Sequence, residues 1–278
     1  MSTRAIVPVK LSLTEGDFYT LWAPKWRQHG SEWQAFLGDD EAVLAFNSPA
    51  ELLCFVESDT KHDLLDHPQW DQFAGRDADR VTPAERDEYD LIGMPEALAG
   101  RPSHRNVSTV ARNLEMASAL ADVAGAEHTT IFFASHSILR NVSRGADHYS
   151  GEQGMSEWSG VGHVIAGNWK KVIEDLDEHV RVVSSDDFDA AKVSDAKERI
   201  SSAAAASAAA AKEAEEKRKA AAEAADPYDN SPWAAAGIDP IKITAQSKSV
   251  YTLRTYLDGK PIFLGKWGEI FTFDSPKT

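Results

Sequence analysis

Sulfur chemistry is almost missing from this chain. Its 278 residues include one cysteine, Cys54, so no internal disulfide can form and the fold must rest on its apolar core. A lone cysteine fits a reducing compartment, and the expected location is cytoplasmic. Long apolar runs are missing too. None approaches the roughly 20 residues of a bilayer span, so no membrane partner is expected. Positive charge is in deficit, with 29 Lys and Arg against 44 Asp and Glu, net −15. Residues 1–110 carry net −9 and residues 111–193 net −6, whereas residues 231–278 carry net +2. An acidic surface repels phosphates, which disfavours a nucleic-acid groove in the first two thirds of the chain.

What the sequence does have is a repeat. Pro8–Leu21, PVKLSLTEGDFYTL, aligns without a gap to Pro240–Leu253, PIKITAQSKSVYTL. Phe36–Pro49, FLGDDEAVLAFNSP, aligns to Phe263–Pro276, FLGKWGEIFTFDSP. Eleven of these 28 positions are identical, where average composition gives roughly two. The length differs by five residues between the blocks, as a loop allows. Each unit reads as four strands, with turns at Thr14–Asp17 and at Gly38-Asp39-Asp40, followed by a helix. Ser48-Pro49-Ala50-Glu51 is the helix start: a serine cap, proline in the first turn and glutamate three after the cap. Ser275-Pro276 repeats that start two residues before the last residue. The second copy therefore lacks its helix, its apolar sheet face is expected to be bare, and the natural chain is expected to continue beyond Thr278.

Between the copies the pattern is helical. Val107, Val110, Leu114, Ala117 and Ala121 keep 3–4 spacing ahead of Gly125, and Trp158, Val161, Ile165, Trp169, Val172, Leu176 and Val180 form a second stripe. Thr82-Pro83-Ala84-Glu85 predicts another helix start, and Ser58–Asp79 reads as an acidic connector. Ser201–Pro232 is rich in Ala, Glu, Lys and Arg with almost no large apolar residue. It reads as a solvated, semi-rigid linker stopped near Asp226-Pro227. The expected fold class is α+β: a duplicated, four-stranded, mainly antiparallel sheet-plus-helix module flanking an all-α middle region. The expected boundaries are 1–58 for the first repeat, 59–193 for the connector and helical domain, 194–238 for the linker, and 239–278 for the truncated second repeat.

The stretches MSTRAIVPVKLSLTEGDFYTLWAPKWR and GIDPIKI…YTLRTYLDGKPIFLG resemble an uncharacterised family of actinobacterial proteins, some automatically labelled "primosomal protein". The resemblance covers both repeats. It implies a role in DNA replication, and it brings no catalytic residues with it.

Residues with chemical potential fall short of sites. His62 and His67 flank Asp63 and Asp66, but their spacing of five suits neither a helix face nor a third ligand, so a solvated acidic turn is expected. Ser135-His136 lacks any nucleophile-elbow context. Gly160–Gly167, GVGHVIAG, lacks the third glycine of a dinucleotide loop and lies in a helical stripe. Cys54 reads as a core thiol. No catalytic residue, cofactor or metal site is nominated. The tryptophans say more. On β-strand parity Tyr19 and Leu21, kept in both copies as Tyr251 and Leu253, mark the core face. Trp22 lies on the other parity and corresponds to Arg254, Trp33 aligns near Lys260, and Trp26 falls in the loop insertion. The module fold therefore does not need Trp22, Trp26 or Trp33. They either pack on the helical domain or form a partner-binding patch. The expectation is a non-enzymatic interaction or scaffold protein with a protein partner. The alternatives are a nucleic-acid-associated replication accessory factor and an enzyme of unknown class.

Overall fold

The structure, a computed structural model, describes residues 6–28, 30–39, 41–58, 60–224, 235–245, 248–257 and 259–275. It divides into two compact units, Met1–Ala206 and Ser207–Thr278. Asp226-Pro227, read above as the helix stop, and Pro276, the second helix start, lie outside the described residues.

In the first unit β1 (Val7–Leu13), β2 (Gly16–Gln28) and β3 (Ser31–Phe36) form an antiparallel meander. β4 (Val43–Ala45) then leads into α1 (Pro49–Val56). The cap forms as the sequence specifies: Ser48 Oγ accepts from the Glu51 N–H at 3.2 Å, and the Glu51 carboxylate accepts from the Asn47 N–H at 3.0 Å. Next come α2 (Trp70–Ala74), β5 (Glu88–Asp90), α3 (Met94–Ala99), α4 (His104–Ala124), α5 (Glu127–Ser135), α6 (Gly151–His179), β6 (Val180–Val182) and the part of α7 (Ala190–Ala224) up to Ala206, where the second unit begins. α4 and α6 carry the two expected apolar stripes, and Gly125 closes α4 with φ 74°. Thr82–Glu85 starts no α-helix. A single 3-10 turn at Glu85–Asp87 runs straight into β5, because the chain there joins the sheet edge.

The sheet has four strands in the order β3-β2-β1-β5. The fourth is not the one the repeat supplies. β5 comes from the middle region and pairs parallel to β1, with Lys10 opposite Glu88 and their side chains 2.7 Å apart. β4 pairs parallel with β6 and reaches the meander through bridges at Tyr19–Phe46 and Gly38–Val43. The parallel partners are remote in sequence, which repeat comparison does not reveal.

Both faces of this sheet are covered. Val9, Leu11, Phe18, Trp22 and Phe36 pack with α4 and α6 in one buried cluster. Leu21, Leu37, Leu44 and Phe46 pack with α1 and with Leu64, Trp70 and Phe73 in another. Each fully buried Leu or Phe contributes about 1.5–3 kcal/mol. The second cluster corrects the picture of an acidic connector, since its apolar residues belong to the core. α7 begins on that cluster through Ala196, Ile200 and Ala203, and Arg199 holds Glu57 with two hydrogen bonds of 2.7 and 2.8 Å. Residues 204–220 of α7 are exposed. Glu213–Lys217 and Glu215–Lys219, both one turn apart, support them at 2.6 and 2.8 Å.

The second unit contains β7 (Asp239–Ala245), β8 (Lys248–Leu257), β9 (Lys260–Phe263), β10 (Gly265–Lys266) and β11 (Glu269–Ile270), with β7-β8-β9 forming a three-stranded antiparallel sheet. Its register reproduces the first. Pro8 faces Leu21 as Pro240 faces Leu253, Lys10 faces Tyr19 as Lys242 faces Tyr251, and Trp22 faces Phe36 as Arg254 faces Phe263. The hydrogen bonds beyond the strands repeat as well. Tyr19 and Phe46 exchange two, and so do Tyr251 and Phe273; the Leu37 N–H donates to the Leu21 carbonyl as that of Leu264 does to Leu253. Gly38 and Gly265 are kept for one reason. A Cβ on Gly38 would lie 2.8 Å from the Ala42 carbonyl oxygen, and one on Gly265 would strike the carbonyl of Glu269.

Candidate functional site

The three tryptophans singled out by the repeat comparison do not converge. Trp22 is 7% exposed and stacks on Phe36, centroids 6.0 Å apart and planes 13° apart. It lies in the cluster shared with α4 and α6, so its role is packing on the helical layer. Trp26 is not in a loop. β2 runs on to Gln28, with a bulge between Ala23 and Trp26 that adds one residue on that side. The bulge shifts the alternation, and Trp26 meets His67 edge-on at 4.5 Å on the opposite face. Trp33, directly across from Trp26, is 55% exposed. Only Trp33 of the three is open to a partner.

His62 and His67 correct the expectation of a solvated turn. Both are buried, His62 edge-on to Trp70 at 4.4 Å and His67 against Trp26. Burial pushes both imidazoles below their ordinary pKa. Among the described residues no group of three His, Cys, Asp or Glu is placed to hold a metal. Cys54 is half-buried, and burial raises its thiol pKa. His136 Nδ1 lies 2.8 Å from the Phe132 carbonyl, and GVGHVIAG is interior α6.

Comparing matched positions of the two repeats exposes a surface that motif reading missed. Leu37, Leu44 and Phe46 of the first copy are 0–4% exposed; their counterparts Leu264, Phe271 and Phe273 are 39, 47 and 37% exposed. These side chains share a face with Tyr251 and Leu253, the face that α1 covers in the first copy. Residues beside it add aromatic surface with cations. Trp267 is 90% exposed with Lys266 Nζ 4.1 Å from its ring centroid, and the Arg254 guanidinium lies 5.0 Å over Tyr256 while pairing with Asp239 at 2.9 Å. Trp267 also holds φ at 56°, left-handed backbone that a tryptophan adopts only at a cost of about 1–2 kcal/mol. The β10–β11 turn thus spends backbone strain to display an aromatic side chain in water. The sequence signal was present in the aligned Asp40/Trp267 position, where a turn-forming residue is replaced by tryptophan.

A second apolar depression lies along α4 and α5, lined by Leu114, Phe133, Leu139 and Val142 together with Arg112 and Arg140. Among the described residues no helix is long and apolar enough to cross a membrane.

Comparison with known proteins found no match among curated proteins. A solved structure described as "The crystal structure of SatS c-terminal domain in complex with bromine" is similar at 16% identity and a TM-score of 0.45, over 64% of this chain and 94% of that one. The family model described as the SatS C-terminal domain matches residues 6–177 and 238–278, leaving out the stretch that holds α7. With both repeats and the helical layer inside the matched residues, the chain belongs to the SatS C-terminal domain family.

Proposed function

We propose that this chain is a non-enzymatic interaction or scaffold protein of the cytoplasm, which engages a protein partner through its second repeat. One observation carries the reading. Two sheets of the same register bear the same apolar face, buried in the first copy and open in the second. Leaving such a face in water forgoes about 25 cal/mol per Å². Contiguous apolar exposure of this kind marks interaction surfaces. Trp33, on the β2–β3 hairpin of the first repeat, is a secondary candidate contact.

The test is affinity purification of the intact chain beside a Phe271→Glu, Trp267→Ala variant, with mass spectrometry of both. Proteins retained by the unaltered chain and lost by the folded variant support the reading. An identical protein set from both overturns it. The cation-on-ring pairs Lys266–Trp267 and Arg254–Tyr256 favour one other reading, a nucleic-acid-associated accessory factor whose aromatics stack on unpaired bases. Fluorescence anisotropy with a single-stranded oligonucleotide decides it. Salt-dependent binding lost in Trp267→Ala supports the nucleic-acid reading, and no binding at about 50 mM salt rejects it.

A further inference from the structure

We propose that the groove along α4 and α5 is a binding site for an amphipathic carboxylate, a fatty-acid anion whose alkyl chain lies on the apolar floor and whose head group meets Arg112 and Arg140. The groove belongs to the first unit, so the inference stands apart from the interaction reading, which rests on the second repeat.

The floor follows from helix periodicity. Ala111, Leu114 and Ser118 recur at 3–4 spacing on one face of α4, and Phe133 and Ala134 lie beside them near the end of α5. The 3-10 turn Ser137–Arg144 completes the wall with Leu139 and Val142. Leu114, Leu139 and Val142 are buried in the core shared with the sheet, so the floor is fixed by packing and is not a mobile surface. The groove holds about 750 Å³, within the roughly 300–1,000 Å³ of small-molecule sites.

The scarcity of polar groups selects an alkyl chain over a peptide. Apart from the arginines, the polar side chains on the groove are Glu115, Ser118 and Ser143, and the Ser143 hydroxyl already donates to the Arg140 carbonyl at 2.8 Å. A peptide backbone laid there would lose water from N–H and C=O groups without gaining partners for most of them. An alkyl chain carries no such groups and gains from every apolar contact.

Two guanidiniums set the head group. Arg80, Arg181 and Arg199 each hold a carboxylate, whereas among the described residues neither Arg112 nor Arg140 meets one within 4 Å. Arg112 is oriented without one: its Nη2 donates to the Glu88 carbonyl at 2.8 Å, and its guanidinium lies 5.4 Å over the Tyr89 ring. The carboxylate of Glu88 is taken by Lys10 at 2.7 Å. Arg112 Nε is buried and has no hydrogen-bond partner among the described residues. Unpaired arginines on an open surface are ordinary; these two line one apolar groove, and a carboxylate is the planar anion that the guanidinium fork matches. Glu115 on the same groove disfavours a more highly charged head such as a polyphosphate.

The probe is dansyl-labelled undecanoate, whose emission rises and shifts to the blue in an apolar site, titrated with the full chain and then displaced with laurate. Expected are saturable binding with a Kd of roughly 10–100 micromolar and displacement by laurate. Dodecanol, the same chain without the charge, should displace the probe about tenfold less well, and Arg140→Ala should remove that difference. Ala134→Trp should block both ligands by filling the groove. Arg140 and Ala134 are exposed, so both variants should fold, which circular dichroism and a thermal melt check. An absence of saturable binding, equal displacement by laurate and dodecanol, or unchanged laurate binding in the folded variants overturns the inference. So does an uncharged apolar peptide that displaces the probe more strongly than laurate, or a dimer, seen by sedimentation, that Ala134→Trp dissociates, because the groove would then have another occupant.

Discussion

Trp22→Ala tests the layered arrangement of the first unit directly. A buried tryptophan removes roughly 200 Å² from water. At about 25 cal/mol per Å² that is ~5 kcal/mol for the whole side chain. The alanine left behind keeps part of it, while the cavity between Phe36 and α4 adds a penalty, because close-packed neighbours relax only partly. Among the described residues the indole N–H has no hydrogen-bond partner, so its removal strands no acceptor there. The expected loss is about 3–5 kcal/mol, a large share of a typical 5–15 kcal/mol stability. For a unit of this size it lowers Tm by roughly 10 °C. Urea denaturation followed by circular dichroism reads it. Arg254→Ala is the internal control, at the matching position of the second sheet. Its ion pair with Asp239 is solvent-screened and adds little to stability. A loss of 0.5 kcal/mol or less from Trp22→Ala would refute the packing role. A loss above about 2 kcal/mol from Arg254→Ala would show that the arginine side of the second sheet has been assigned wrongly.

Further outcomes follow from the same contacts. Ser48→Ala removes the hydroxyl that accepts from the Glu51 N–H and should cost about 1 kcal/mol; a neutral result in chemical denaturation would mean that α1 is held by packing alone. His62 and His67 are held below their ordinary pKa by burial, so the unfolded chain takes up protons first. Stability is therefore full above about pH 6.5 and declines as pH falls through that value, well before Glu57, whose carboxyl the Arg199 hydrogen bonds hold low, is protonated. The urea midpoint should be lower at pH 5 than at pH 8, with a shallower slope in His67→Gln, and an unchanged slope would argue against burial of that ring. Limited proteolysis should cut first within residues 204–220, whose side chains are exposed, and early cleavage inside α4 or α6 would contradict the core assignment.

The sequence by itself determined whatever local rules or self-comparison could reach. Eleven shared positions fixed two modules of one register, since hairpin pairing follows from strand spacing and turn length. The 3–4 stripes fixed α4 and α6, and Ser48-Pro49-Ala50-Glu51 fixed the start of α1, because caps and periodicity involve neighbours within a turn or two. Self-comparison paired Leu264, Phe271 and Phe273 with Leu37, Leu44 and Phe46, and the three are exposed where their counterparts are buried. Tertiary structure alone decided which strands fill the sheet edges. β5 and β6 come from a region whose periodicity is helical, and their short parallel pairings join residues tens of positions apart. It also decided that β2 is buried on both sides. Strand parity assigned Trp22 and Leu21 to opposite faces but could not say that each face has a cover. The bulge that turns Trp26 toward His67 is one added residue, invisible to alternation. His62 and His67 sit among aspartates that predict solvent, and they are buried because Leu64, Trp70 and Phe73 around them close the second core. Burial depends on what arrives from elsewhere in the chain, and no local pattern encodes it.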